Sequence, residues 1–202
     1  VSDRDSLIEF VSACSLILMH LSRFSEELVL WSSKEFGFVQ ISDAYTTGSS
    51  MMPQKKNPDM AELVRGKAGR VYGDLVNLFT IMKGLPLAYN RDMQEDKHPL
   101  FDAVTTTRQC LFIFSHMLVH TEFNKEHLGE ELRNDFTTAT DVADYLVRKG
   151  IPFREAHEIT GKIVSYCIEH RMYFGNLDLD TLRTFSKSFD ADIFDYLTPQ
   201  KS

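Results

Sequence analysis

The chain has 202 residues, 43% of them hydrophobic and 25% charged, with a formal net charge of -7 at pH 7. This is globular composition, sufficient for one or two domains with cores, and the acidity argues against general nucleic-acid affinity, which needs a basic face. No apolar stretch is expected to reach the roughly 20 residues of a membrane span, and there is no secretory signal; Cys14, Cys110 and Cys167 lack metal-ligand spacing and read as buried thiols of a reducing, cytoplasmic compartment.

In chain order, "VSDRDSLIEF" enters a helical pattern almost without lead-in, and "DYLTPQKS" completes no obvious element, so the ends read as those of a fragment. Leu7, Phe10, Cys14, Ile17, Leu21, Phe24, Leu28 and Trp31 follow one another at alternating steps of three and four, a heptad seam. The predicted helix is about 40 Å long. Ser2 or Asp3 is expected to cap it and Gly37 to end it, and the Arg4–Asp5 pair reads as structural capping. A second helix starts at Asp59, carries Met60, Val64, Ala68, Val71, Leu75, Leu78 and Met82 as its stripe, and stops at Gly84-Leu85-Pro86. A third is predicted over about residues 99–121, through Phe101, Val104, Leu111, Phe112 and Leu118. Three such helices predict an all-α fold, a long-helix bundle over residues 1–122. Nothing alternates with period two, so no sheet is expected. Beyond Phe123, shorter helices near 139–149, 152–172, 178–187 and 190–196 predict a small C-terminal helical domain over 123–202, with Gly150 as a cap and Pro152 in a first helical turn.

Residues 37–58 are the longest stretch without helical period, rich in Ser, Thr, Gly and Pro. A loop of that length inside a compact domain is either functional or a solvated connection. Met51 and Met52 are apolar side chains that a purely solvated loop would not favour, and Pro53 and Pro58 restrict its conformations. Lys55, Lys56, Arg65, Lys67 and Arg70 lie close to only two acids, Asp59 and Glu62. A cationic loop feeding a helix N-terminus suits a small anion. The spacing of a Walker phosphate loop is missing, as is the Gly-x-Ser-x-Gly frame of a hydrolase elbow, and no aromatics interleave the loop as a single-stranded nucleic-acid groove would need. Carboxylate recognition remains, with a serine and a lysine at hand.

"GSSMMPQKKNP" resembles the Gly-Ser-Ser-x-x-Pro-x-Lys-x-Asn signature of the fumarase/aspartase superfamily. "WSSKEFGFVQISDAYTTGSSMMPQKKNPDMAELVRGKAGRVYG", "GLPLAYNRDMQEDK" and "DYLVRKGIPFREAHEITGK" resemble, more narrowly, the argininosuccinate lyase and δ-crystallin family, over essentially the whole chain. The resemblance implies elimination of arginine from argininosuccinate with release of fumarate, a step of arginine biosynthesis. It implies Ser49 as catalytic base, with Ser50 beside it as a substrate ligand or the alternative base. It also implies Lys55 and Asn57 as ligands of the substrate carboxylate, and Glu62 in support of Lys55. Glu62 reads equally well as a first-turn acid favoured by the helix dipole. Tyr89, Gln94 and Lys97 would hold the rest of the substrate, although "YNRDMQEDK" without the family is a charged inter-helix turn. A serine is a poor base in water, so it works only where a closed, cationic site lowers its pKa. The resemblance further implies a homotetramer with sites assembled from three subunits, no cofactor and no metal. The histidine acid belongs to a motif that none of the seven histidines here occupies, so the chain alone is expected to be inactive. A non-catalytic crystallin-like relative, or a sibling lyase such as adenylosuccinate lyase, stands as the alternative. No nucleic-acid or membrane partner is expected.

Overall fold

The computed structural model describes residues 3–48, 50–52 and 55–197. The chain divides into two compact units, Val1–Asn124 and Lys125–Ser202.

Three long helices build the first unit: α1 (Asp5–Trp31), α2 (Asp59–Met82) and α3 (Lys97–Val119). Their packed faces are lined by Val11, Leu18, Val64, Val71, Leu78 and Met117, all at most 1% exposed. The buried row of α1 is Val11, Cys14, Ser15, Leu18, Leu21, Ser25 and Leu28. This corrects the expected seam, since Phe10, Ile17 and Phe24 stand on the outside. The reason is that α1 carries two overlapping heptad rows that share Cys14, Leu21 and Leu28. The row containing the small Ser15 and Ser25 lets neighbouring helices come closer, and their hydroxyls do not obstruct packing; that of Ser15 donates back to the Val11 carbonyl at 2.9 Å. The same choice governs α3, where Pro99, Ala103, Thr106, Thr107, Cys110, Phe114 and Met117 are buried. Of its expected stripe, Phe101, Leu111, Phe112 and Leu118 are exposed. On α2 the expected stripe faces inward through Val64, Ala68, Val71 and Leu78.

The helix ends also differ from expectation. Arg4 occupies the N-cap of α1 without a side-chain capping bond, and its carbonyl accepts from Leu7 and Ile8 at 2.9 and 3.0 Å. Ser2 lies outside the described residues. The helix stops at Trp31, and Gly37, at φ 61, closes the turn that follows. By length and composition α1 is apolar enough to cross a membrane, contrary to the expectation from sequence; its inner face packs into the bundle core.

Two short antiparallel pairs correct the expectation of no sheet. β1 (Val39–Ile41) pairs with β4 (Thr121–Phe123), Gln40 opposite Glu122. β2 (Thr47–Gly48) pairs with β3 (Lys56–Asn57). At two or three residues each, they are too short to show a period.

The second unit holds α4 (Lys125–Arg133), which was not expected, then α5 (Ala139–Arg148), α6 (Phe153–His170), α7 (Leu179–Phe185) and α8 (Ile193–Tyr196). Its core contains Tyr145, Leu146, Ile163, Phe174, Leu182, Phe189 and Ile193, none more than 2% exposed. Gly150 at φ 94 follows α5, and Pro152 is the N-cap of α6, one position before the first helical turn. The Tyr145 hydroxyl donates to Asp192 at 2.5 Å and accepts from the Asp190 N–H at 3.0 Å. Lys149 reaches the Asp190 and Asp192 carboxylates at 2.9 and 3.2 Å, so the segment before α8 is tied to α5. Cys14, Cys110 and Cys167 are buried free thiols.

Candidate active site

The loop that follows α1 is pinned at its root. β1 and β4 tie the segment to the end of α3, and Ser42 caps a 3₁₀ turn at Asp43–Tyr45. The β2–β3 ladder sets Thr47 opposite Asn57 and Gly48 opposite Lys56. Two side-chain bonds reinforce it: the Thr47 hydroxyl donates to Asp59, and the Lys56 ammonium donates to Asp43. Beside the root lies a polar hollow of about 270 Å³ between Ser42, Asp43, Lys56, His120 and Glu122. Beyond the ladder, Ser50, Met51 and Lys55 are exposed, while Asn57 in β3 is half-buried. Glu62 is exposed one turn into α2, its N–H bonded to the Pro58 carbonyl. Ser49 and Pro53 lie outside the described residues.

The cationic character of this stretch is narrower than the sequence suggested. Lys56 pairs with Asp43, Arg65 with Glu26 and Arg70 with Asp102. Glu26 and Asp102 lie on other helices and Asp43 lies 13 residues before Lys56 in the same loop, so counting charge among near neighbours missed them. Lys55 is the exposed loop cation that makes no ion pair among the described residues.

Tyr89 and Gln94 occupy the connection between α2 and α3, and Lys97 is the first residue of α3. Gly84 at φ 70 turns the chain out of α2, a conformation glycine adopts without strain. A 3₁₀ segment, Arg91–Asp96, then leads into α3, anchored by the buried Met93 and Asp96. Tyr89 and Gln94 are exposed. The connection also borders a hollow of about 410 Å³ lined by Asp3, Met82, Leu85, Leu87, Ala88 and Met93. Lys97 places its ammonium 2.5 Å from one Asp96 oxygen, and the Arg4 guanidinium donates to the other. Burial pushes the Asp96 carboxyl upward, but the hydrogen bonds and charges of Lys97 and Arg4 outweigh it and hold the carboxyl below the usual range. Asp96 was missed from sequence; the available signal was an acid directly before a lysine at a helix start.

The structure brings Ser50, Lys55, Asn57 and Glu62 to one end of α2, and Tyr89, Gln94 and Lys97 to the region beyond its other end. Between the loop and that turn runs α2, 24 residues and about 36 Å long at 1.5 Å per residue. One chain therefore does not unite the two groups around one small molecule.

A bundle of long helices with a pinned loop opening its second helix is the architecture of helical-bundle lyases. An EDDS lyase variant with bound fumarate superposes on 100% of this chain and 42% of its own, with a TM-score of 0.81 and 28% identity. Residues 1–73 match the family model described as Lyase, and residues 136–202 the model described as Argininosuccinate lyase C-terminal. The argininosuccinate lyase of Symbiobacterium thermophilum is 58% identical over 99% of this chain, and that of Pelotomaculum thermopropionicum 60% identical over 96%. The chain belongs to the argininosuccinate lyase family. It spans 43% and 42% of the length of those two relatives.

Proposed function

We propose that this chain supplies the base-bearing loop and part of the substrate cradle of a cytoplasmic, homotetrameric argininosuccinate lyase of arginine biosynthesis. The observation that carries the reading is the separation of two family-like groups at opposite ends of α2. Antiparallel copies would set the loop of one chain against the Tyr89–Lys97 turn of another, and the length of α2 supports such a composite site. The EDDS lyase variant of the same fold holds fumarate, the dicarboxylate that this reading releases.

The chemistry assigns the residues. Ser49, or Ser50 beside it, takes the proton from the succinyl carbon next to a carboxylate. The electron pair left behind forms the carbon–carbon double bond of fumarate. The C–N bond breaks, its electrons stay on the departing arginine nitrogen, and an acid from outside this chain protonates that nitrogen. Negative charge develops on the carboxylate beside the reacting carbon, and Lys55 and Asn57 are its donors; prearranged donors of this kind lower the barrier most where water is excluded. Glu62 supports Lys55. Lys97 takes a second carboxylate, and Tyr89 and Gln94 hydrogen-bond the polar remainder.

The test is a chimera: the Symbiobacterium thermophilum relative with its matching stretch replaced by this chain, assayed for fumarate release from argininosuccinate. Release is expected, with Ser49→Ala and Lys55→Ala each lowering kcat by at least about a hundredfold. The free 202-residue chain is expected to release none. A folded, tetrameric chimera without turnover would leave a crystallin-like structural relative as the answer, and release from adenylosuccinate alone would leave the sibling lyase.

A further inference from the structure

We infer that Asp96 is a positioning residue for Lys97, and that Arg4 keeps the Lys97 ammonium available to a substrate carboxylate by sharing the Asp96 charge. The inference rests on the reading above, in which Lys97 meets that carboxylate.

The Asp96 side chain is fully buried, that of Arg4 is 21% exposed and that of Lys97 is 55% exposed. A buried carboxylate without compensation is strongly unfavourable, and one cation is enough to compensate its charge. Here there are two, on separate oxygens. Asp96 is therefore shared between two cations, of which Lys97 is the exposed one. Lys97 has three N–H donors; Asp96 engages one and leaves two for a ligand. A lysine stem is flexible, and ordering it on binding costs conformational entropy. A contact to a buried, immobile carboxylate orders it beforehand. Arg4 joins the cluster from the start of α1, 92 residues away in sequence, so it ties α1 to the start of α3 at the same point.

The roles of the two partners differ. Without Asp96, Lys97 keeps its charge but loses its orientation. Without Arg4, Asp96 and Lys97 form a neutral pair, and a substrate carboxylate must compete with Asp96 for the ammonium. Arg4 thus acts on substrate affinity without touching substrate, and neither Arg4 nor Asp96 takes part in proton transfer.

Two measurements test this. In the chimera, Arg4→Gln is expected to raise KM for argininosuccinate roughly tenfold with kcat changed less than about threefold, the pattern of lost ground-state binding. Arg4→Lys, which retains the charge, is expected to restore KM to within about threefold of the parent. In the free chain, the rate of Lys97 acetylation by acetic anhydride, read by mass spectrometry against Lys162 as internal reference, is expected to rise at least about threefold in Asp96→Asn, as its tether is removed, and to fall in Arg4→Gln. An Arg4→Gln chimera with unchanged KM, or a KM change that Arg4→Lys does not reverse, would overturn the inference. So would Lys97 acetylation unaltered in both variants. If Asp96→Asn does not fold, the Arg4 pair still decides. If the parent chimera releases no fumarate, the functional reading fails, and the acetylation rates still decide whether Asp96 and Arg4 govern the Lys97 amine.

Discussion

Phe10, Leu16, Ile17 and Phe24 stand on the outside of α1, and Phe101, Leu111 and Phe112 on the outside of α3. In the second unit, by contrast, Tyr145, Phe174 and Phe189 are fully enclosed, and Lys149 and Tyr145 latch Asp190 and Asp192 over the core. The first unit is built as though its outer faces were interior. Contiguous apolar surface on that scale marks an interaction site. Between α1 and α3 it deepens into an apolar groove of about 530 Å³ lined by Phe24, Leu28, Trp31, Phe114 and Leu118. The second unit encloses Tyr145, Phe174 and Phe189 within its own core, although Phe153 remains exposed. In the reading proposed above, copies of the chain cover these outer faces, and the division of the site between the two ends of α2 is the counterpart of that cover.

The largest expected effect breaks the comparison directly. Ile17→Asp with Phe24→Asp should dissociate the assembled chain, lowering association at least about a hundredfold, because each apolar side chain is worth about 1.5–3 kcal/mol when buried. Light scattering should show monomers with unchanged helical circular dichroism. Phe153→Asp with Ile168→Asp, also exposed but in the second unit, should leave the assembly size unchanged. A parent chain already monomeric at high concentration would sink the idea that these faces are covered by copies. Next in size, Leu146→Ala should cost about 2–5 kcal/mol in denaturant unfolding, whereas Ile168→Ala should stay within about 0.5 kcal/mol. Equal costs at the two positions would mean that the second unit's core is not where its stability resides.

Helix existence was legible because period and punctuation agree: Asp59 opens α2, Gly84 closes its connection, and Gly150 follows α5. Which face turns inward was not. Cys14, Leu21 and Leu28 belong to both possible seams of α1, and only the close approach of other helices selects the one with Ser15 and Ser25. In α3 the small Ala103, Thr106, Thr107 and Cys110 go inside while the large Phe101, Leu111 and Phe112 stay outside, the reverse of a rule that ranks side chains by hydrophobicity alone. β1 and β4 pair across some eighty positions and have no local signal, and "KEHLGEELR" forms α4 while being polar nearly all round. At the candidate site the loop chemistry could be read from one contiguous motif. The partners of Arg65 and Arg70 could not, since Glu26 and Asp102 come from other helices, and that of Lys56 lies 13 residues back in the loop. The distance between the loop and the Tyr89–Lys97 turn follows from α2 and needed only its length.

The smallest effect concerns how the two units treat their acids. Asp190 and Asp192 are both held below the usual carboxylate range, chiefly by hydrogen bonds from Lys149 and Tyr145 respectively. In the bundle, Arg70 donates to both Asp102 oxygens, with Nε at 2.5 Å, and holds that carboxyl below the usual range. Asp74, one turn further along α2, is left over. Its Oδ2 is buried without a hydrogen-bond partner among the described residues. Burial, then the Asp102 charge, push its carboxyl up to about 6 against the opposing pull of Arg70. The native state therefore holds a proton between about pH 4 and 6 that the unfolded chain has released, so stability falls as pH rises through that window, and the penalty is complete above it. Asp74→Asn should remove the penalty, adding on the order of 1 kcal/mol near neutral pH and almost nothing near pH 4, after allowance for partial exposure. Urea unfolding at the two ends of the window measures the difference. Parallel pH profiles for variant and parent would show that Asp74 is as well compensated as Asp190 and Asp192, and that the bundle carries no such strain.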